Sequence, residues 1–258
     1  MTSTEPDVLV AHEGAVATIT MNRPQRRNAL SLTHMRALTA AFREVGESKA
    51  TGIVLGGAGP VFCAGHDFAD VLDADLDDVR RLLETCAELM EVIQSVPQVV
   101  VARVHGLATA AGCQLVATCD LAVASETAGF AAPGGKGGWF CHTPMVAVGR
   151  AVGRKRAMEL ALTGDVIDAA TAYEWGLVNR VVPPEHLDAT TEELLQRATR
   201  GSPASKAIGK TTMYEQLSLG QRDAYRLATE VMAATSQTAS AREGMDAFLQ
   251  KRAPVWPS

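Results

Sequence analysis

The chain has 258 residues, of which 47% are hydrophobic and 21% are charged. This composition predicts a globular protein with a sizeable core and excludes a disordered chain. The net charge of −5 argues against a general nucleic-acid-binding role, because that role needs a basic surface to neutralise phosphates. No stretch reaches the roughly 20 apolar residues of a membrane span, and the first thirty residues lack the pattern of a secretion signal.

The cysteines indicate the redox environment. They are five in number and form no C-x-x-C pair, so the sequence predicts neither a disulfide framework nor a zinc site. The cysteines therefore predict a cytoplasmic protein. Together with the net charge and the lack of a long apolar stretch, we expect it to bind neither nucleic acids nor membranes.

The first predicted elements are two strands, a helix and a third strand. The β-branched residues at 8–12 and 16–21 flank a short turn, which predicts a strand pair. Ser31 is a suitable N-cap for an amphipathic helix. Residues 52–56 form a short apolar run bounded by glycines, which predicts a strand buried on both faces.

Helices and buried strands then alternate. Residues 77–95 repeat apolar side chains at helical spacing, and runs at 99–104 and 121–124 predict two more buried strands. This alternation indicates βαβ units and an α/β fold. Strands nearly vanish after Gly153, apart from 177–182. We therefore predict an α/β core over residues 1–195 and a helical region over 196–258 that packs on another subunit.

Two loops that follow buried strands are candidates for binding chemistry. Gly65 lies in the first, where a glycine lets backbone N–H groups turn outward towards an anion. In the second, at 104–115, small residues let a ligand approach the backbone at a helix N-terminus, where unpaired N–H groups favour negative charge. Each loop also has an interpretation that involves no ligand. The first would be only a tight turn, and the small residues of the second would serve only close helix packing.

These two loops, in this order, resemble those of the enoyl-CoA hydratase/isomerase (crotonase) family. The likeness continues through residues 119–124, 157–164, 176–178 and 248–252, so it covers nearly the whole chain. Residues 113–114, 140–144 and 251–256 look closest to the subgroup known as enoyl-CoA hydratase domain-containing protein 3. The resemblance implies a crotonase-like spiral of βαβ units, an acyl-CoA thioester substrate that includes coenzyme A with no separate cofactor, and homotrimers that often pair into hexamers.

The resemblance also implies roles for particular residues. It places the family's two oxyanion-hole N–H groups on His66 and Ala111, where they would stabilise an enolate; one such donor typically contributes ~10²–10³ in rate. For Asp67 we expect a turn-capping role. The resemblance also implies a set of residues that contact substrate. It includes basic groups for the coenzyme A phosphates and aromatic groups on a loop over the acyl pocket. Its members are Arg27, Ala29, Ala64, Gly65, Asp67, Phe68, Gly112, Gly134, Trp139, Phe140 and Lys251.

The sequence departs from the family where hydratases carry two glutamates, because these positions are Gln114 and Gly134. Glutamine orients water but does not accept its proton, and glycine has no side chain. His142 lies eight residues beyond Gly134, at a position where related enzymes that isomerise dienes or displace a ring chloride carry an aspartate. We hypothesise that His142 transfers protons and that Gln114 positions substrate or water. The alternative is a histidine bonded to backbone carbonyls in a glycine-rich loop.

Two functions therefore remain open at this point. One is an enzyme that hydrates or isomerises enoyl-CoA in fatty-acid metabolism, which His142 favours. The other is a non-catalytic or weakly catalytic acyl-CoA-binding protein, which the loss of both glutamates favours. No metal site is predicted, because the acidic run at 70–78 lacks EF-hand spacing. No nucleotide cofactor is predicted, because neither glycine cluster has phosphate-loop or dinucleotide spacing.

Overall fold

The fold is described by a computed structural model covering residues 5–257. Its strands are β1 (Val8–Glu13), β2 (Val16–Met21), β3 (Gly52–Gly57), β4 (Val61–Cys63), β5 (Val99–Val104), β6 (Leu107–Thr109), β7 (Leu121–Ser125), β8 (Gly129–Ala131), β9 (Ile167–Asp168) and β10 (Arg180–Val182). Its α-helices are α1 (Leu32–Gly46), α2 (Leu76–Ser95), α3 (Ala111–Thr118), α4 (Pro144–Val152), α5 (Arg154–Thr163), α6 (Ala169–Trp175), α7 (Leu187–Thr199), α8 (Pro203–Gln216), α9 (Gln221–Thr235) and α10 (Ala239–Leu249).

The larger sheet has six strands in the order β1-β2-β3-β5-β7-β10. Strand β1 pairs with β2 antiparallel, and the remaining neighbours are parallel. Helices cover both faces of its central strands. Ile53 packs in the main core, while Val54, the next residue, packs with Leu195 of α7 on the opposite face. Burial on both faces explains the continuous apolar runs, and the predicted mixed α/β fold is confirmed.

A second sheet of four short strands, in the order β4-β6-β8-β9, is absent from the sequence prediction. Strands β4, β6 and β8 are parallel, and β9 pairs with β8 antiparallel. Strand β4 leads directly into the first candidate loop, and β6 lies within the second. This small sheet therefore sets the distance between the two loops.

The predicted ends of several elements are close to those observed. Ser31 caps α1 by accepting a hydrogen bond from the His34 N–H, as predicted. Helix α2 begins at Leu76, one residue earlier than expected, because the Asp75 side chain caps the Asp78 N–H at 2.8 Å. The late strand begins at Arg180 and not at 177, although Leu177 and Val178 are buried.

The C-terminal helices α8, α9 and α10 expose most of their surface. Helix α8 is fixed to the core by Lys210, whose Nζ donates to the carbonyl oxygens of Ile93 and Gln98 and pairs with Asp120, each at 2.9 Å. Burial lowers the pKa of Lys210, and the Asp120 carboxylate opposes this shift. The division of the chain near residue 195 stays a prediction, because helix α7 runs through it.

All five cysteines are free and buried: Cys63, Cys86, Cys113, Cys119 and Cys141. Burial raises the pKa of each thiol, to about 12 for Cys63, Cys86 and Cys113. Within residues 5–257, no helix is long and apolar enough to cross a membrane.

Candidate active site

The two candidate loops meet at a point between β4 and α3. Gly65 has a φ of +88°, and a Cβ atom built there would lie 2.9 Å from the Ala110 Cβ and 3.3 Å from the Ala111 nitrogen. Gly112 packs just as closely, since a Cβ there would overlap the Cys63 carbonyl oxygen. Glycine is therefore required at both positions to let the two backbones touch.

Two backbone N–H groups at this junction have no acceptor among the described residues. They belong to His66 and to Ala111, the first residue of α3, where a helix leaves its N–H groups unpaired. The flanking amides are bonded: Asp67 N–H donates to the Leu30 carbonyl at 3.2 Å, and Ala110 N–H donates to the Ala131 carbonyl at 2.9 Å. Two fixed, unbonded donors at one junction can bind a carbonyl oxygen as negative charge develops on it.

Ala110 holds an unfavourable backbone conformation beside these donors. Its φ of 49° and ψ of −117° lie outside the regions that an alanine normally occupies. Such a conformation typically costs about 1–3 kcal/mol and persists only where neighbouring contacts impose it. Here the bond to Ala131 and the contact with Gly65 impose it, directly before the unbonded N–H of Ala111.

The junction opens into a cavity of about 460 Å³. Its wall comes from the two loops, from Leu83 of α2 and from residues 133–144. Of the implied contacts, the structure brings Ala64, His66, Phe68, Gly134, Trp139, Phe140 and His142 to this wall. Sequence reasoning gave no site role to Leu83, Thr109, Ala110, Lys136 and Pro144, although Thr109 and Ala110 lie in the second candidate loop and Pro144 lies in the 140–144 segment.

Aromatic rings form one side of the cavity. The Trp139 ring lies 6.1 Å from the His66 ring and 6.2 Å from the Phe68 ring, centroid to centroid. Trp139 is held by a turn in which its N–H donates to the Gly134 carbonyl at 2.8 Å. This turn fills the space beside Gly134, because a Cβ there would overlap the Trp139 carbonyl oxygen and lie 2.7 Å from the Cys141 Sγ.

His142 lies on the cavity wall with an exposed side chain. The centroid of its ring lies 5.0 Å from that of the Phe140 ring, with the two rings tilted by 52°, and the backbone N–H of His142 donates to the Phe140 carbonyl. The Gln114 side chain points away from this cavity. It is buried, and its Oε1 accepts a hydrogen bond from the Cys86 Sγ at 3.8 Å. Gln114 lines a separate cleft that also includes Asp120. The structure therefore brings His142, but not Gln114, to the cavity.

The His66 imidazole is the other titratable ring in the wall. Burial lowers its pKa, and the Leu30 carbonyl partly offsets this effect. That carbonyl already accepts the Asp67 N–H, and neither ring nitrogen of His66 makes a hydrogen bond of acceptable geometry within residues 5–257. The ring is therefore a neutral polar group with unused bonding capacity.

The remaining implied contacts lie outside the wall. Asp67 caps a short turn by accepting from the Ala69 N–H at 3.3 Å, and it pairs with Arg23 at 3.5 Å. Ala29 is buried, and Gly112 lies behind the junction. Arg27 is exposed next to the first loop, where its carbonyl accepts the Ala64 N–H, and Lys251 is exposed after α10.

Residues 11–258 match the enoyl-CoA hydratase/isomerase family. The chain belongs to this family. It is 43% identical to the mouse mitochondrial enoyl-CoA hydratase domain-containing protein 3 over 95% of the chain and 82% of that protein. It is 35% identical to a probable enoyl-CoA hydratase of Rhizobium meliloti over 95% of each.

Solved structures of the family share the fold. A Mycobacterium smegmatis enoyl-CoA hydratase superposes with a TM-score of 0.94 at 44% identity, covering 98% of this chain and 99% of that one. The human enoyl-CoA hydratase domain-containing protein 3 superposes with a TM-score of 0.93 at 38% identity, covering 97% and 100%. The resemblance stated from the sequence, to the family and to this subgroup, is therefore confirmed.

Proposed function

We propose that the protein binds an enoyl-CoA thioester in the 460 Å³ cavity and moves its double bond, as an isomerase of fatty-acid metabolism. The observation that carries this proposal is the pair of unbonded N–H groups on His66 and Ala111. His142 removes a proton from carbon 2 of a 3-enoyl thioester, and the resulting dienolate places its negative charge on the oxygen that the two N–H groups bind. His142 then returns the proton to carbon 4, which gives the conjugated 2-enoyl thioester.

One-base chemistry fits the cavity better than hydration. Adding water across a double bond needs a base for the water and an acid for the carbon, whereas isomerisation needs one group that carries one proton. Gln114 faces another cleft, Gly134 has no side chain, and no carboxylate is among the described residues that line the cavity. The exposed imidazole of His142 lies on the cavity wall, and an imidazole nitrogen can accept a proton and return it.

A second candidate is an acyl-CoA-binding protein with little turnover. The packing of the Trp139 carbonyl where a glutamate side chain would begin at Gly134 favours it, because that packing excludes the usual hydratase group. In this case the two N–H groups would hold a thioester without subsequent proton transfer.

The deciding experiment follows the absorbance of the conjugated thioester with 3-hexenoyl-CoA and with crotonyl-CoA as substrates. We expect conjugation of 3-hexenoyl-CoA and little hydration of crotonyl-CoA. His142→Ala should lower turnover by about 10²–10⁴-fold, the usual contribution of a positioned base. His186→Ala, which changes an exposed histidine outside the cavity, is the matched control. Thioester binding without turnover would establish the second candidate, and unchanged turnover in His142→Ala would remove that residue's role.

We propose a homotrimer or a dimer of trimers as the assembly. Its support is the apolar surface of the C-terminal helices, with a groove of about 1050 Å³ between them and exposed side chains at Met213, Leu217, Met232, Phe248 and Leu249. Arg27 and Lys251 are our candidates for the coenzyme A phosphates, and light scattering would give the subunit number. The cytoplasmic location stays a proposal, and the vertebrate relatives carry the word mitochondrial in their names.

A further inference from the structure

The two unbonded N–H groups belong to different loops, so the distance between them depends on how the loops are joined. Pairing of β4 with β6 sets this distance where the loops begin, but its last pair is Cys63 with Ala108, ahead of both donors. Beyond that pair, the backbone of the first loop bonds to residues 27–30, and the Ala110 N–H of the second loop bonds to Ala131. These backbone bonds hold each loop against a different neighbour.

The direction of each donor is fixed by the carbonyl group of its own peptide unit. The Gly65 carbonyl accepts the Leu30 N–H at 2.7 Å, and the Ala110 carbonyl accepts the first hydrogen bond of α3 at 3.0 Å. In a planar trans peptide the N–H points away from the C=O, so the N–H groups of His66 and Ala111 point away from these bonds. Direction is thus set within each loop, whereas the distance between the donors is not.

The Thr109 hydroxyl joins the two loops. It donates to the Ala64 carbonyl at 3.0 Å, and within the described chain this is the one hydrogen bond between residues 64–66 and residues 109–112. The Ala64 carbonyl has no other donor among the described residues. Thr109 is itself well fixed, because it pairs with Ala131 in the β6–β8 ladder and its branched side chain has few rotamers. The hydroxyl therefore ties the first loop to a rigid strand.

Packing at Gly65 and the Thr109 bond act in opposite directions. The loops cannot approach further, since a Cβ at Gly65 would lie 3.1 Å from the Thr109 carbonyl oxygen and 3.3 Å from the Ala111 nitrogen. The hydroxyl bond keeps them from separating. Both Thr109 and Ala64 line the cavity, so water can replace a deleted hydroxyl at the Ala64 carbonyl. Such a water satisfies the carbonyl but does not connect it to β6.

Resting on the proposed function, we propose that Thr109 is a positioning residue for the two oxyanion donors. Its hydroxyl acts through the Ala64 carbonyl and holds the loops at the separation at which the N–H groups of His66 and Ala111 reach one oxygen. Donors fixed in advance stabilise developing charge well, because they need not reorganise during the reaction. The hydroxyl therefore contributes to the rate of the chemical step and little to the affinity for the thioester.

The test compares Thr109→Val, which has nearly the same shape but no hydroxyl, with Thr109→Ser, which keeps the hydroxyl. With 3-hexenoyl-CoA as substrate, Thr109→Val should lower kcat about tenfold or more and change KM by less than about twofold, since loss of a whole donor costs ~10²–10³. Thr109→Ser should recover most of kcat. Thr39→Val is the matched control, because the buried Thr39 hydroxyl also donates to a carbonyl, at 2.9 Å, but lies outside the cavity wall. It should leave kcat unchanged.

An infrared measurement separates positioning from support of the fold. It follows the carbonyl stretching frequency of bound 2-hexenoyl-CoA, isotopically labelled at the thioester carbonyl, because N–H groups that bind the oxygen polarise the C=O bond and lower this frequency. Thr109→Val should move the frequency towards that of the free thioester, and Thr109→Ser should restore it. A threonine that only supports the fold would lower the melting temperature and leave the frequency unchanged. If Thr109→Val does not fold, Thr109→Ala takes its place, since it differs from Thr109→Ser by the hydroxyl alone.

Wild-type kcat and wild-type carbonyl frequency in Thr109→Val overturn the inference while the proposed function stands. Weaker thioester binding by Thr109→Val with unchanged kcat, measured by calorimetry, also overturns it, because the hydroxyl would then bind the ligand directly. If wild-type protein binds the thioester without turnover, the isomerase proposal fails, and the carbonyl frequency alone decides the role of Thr109. If wild-type protein binds no thioester, the proposed function and the inference fail together.

Discussion

Gly134 shows how one residue restricts the chemistry of the site. The resemblance places a hydratase glutamate there, yet the Trp139 carbonyl and the Cys141 Sγ fill the space that a Cβ would need. Gly134→Ala should therefore lower the free energy of unfolding by about 1–3 kcal/mol, the usual cost of overpacking. Gly137→Ala is the matched control, because a Cβ at 137 would have no neighbour nearer than 3.7 Å. Urea unfolding of both variants measures the difference.

For the same reason, we do not expect the Gly134→Glu substitution to give the protein hydratase activity. Adding the family's carboxylate should not create crotonyl-CoA hydration, because the turn that carries Trp139 must first be displaced. A stable Gly134→Glu variant that hydrates crotonyl-CoA efficiently would show that this turn moves aside at little cost.

At the scale of elements, Lys210 joins α8 to the core. Its ammonium group bonds two carbonyl oxygens and the Asp120 carboxylate, and its side chain is only 8% exposed. Lys210→Met should lower the free energy of unfolding by about 3 kcal/mol, because removal of one partner leaves a largely buried carboxylate without its cation. Lys155→Met, at an exposed position of α5, is the control. Equal midpoints of urea unfolding for the two variants would show that Lys210 does not anchor α8.

The sequence predicted long elements better than short ones. Strands β3, β5 and β7 were recognised because each is a continuous apolar run buried on both faces. Strands β4, β6, β8 and β9 have only two or three residues, too few to show the alternation that identifies a strand. The two loops were found from Gly65 and Gly112. The direction of the Gln114 side chain was not predicted. That direction depends on how α2 packs against α3, because Cys86 of α2 supplies the contact of Gln114.

At the scale of the whole molecule, buried histidines should make the fold sensitive to acid. Burial lowers the pKa of His34, His66 and His105 below the ordinary value of about 6.5. As the pH falls below about 6.5, the unfolded chain takes up protons at these residues before the folded protein does. The free energy of unfolding should therefore decrease between pH 7.5 and 5.5, a range in which most unfolded carboxylates stay ionised.

Urea unfolding at pH 7.5, 6.5 and 5.5 measures this dependence. His34→Gln should reduce the decrease, and the exposed His186→Gln should leave it unchanged. Stability that is constant across this range would mean that the three rings titrate alike in the folded and unfolded states.

The five buried cysteines have a practical consequence for work in solution. A thiol reacts with alkylating dyes as its thiolate, so raised pKa values and burial should keep the native chain almost unlabelled at neutral pH. The rate of dye labelling then reports how often the fold opens. Cys141 borders the cavity and should be the first to be modified, so a thioester that occupies the cavity should slow its labelling whether or not any reaction takes place.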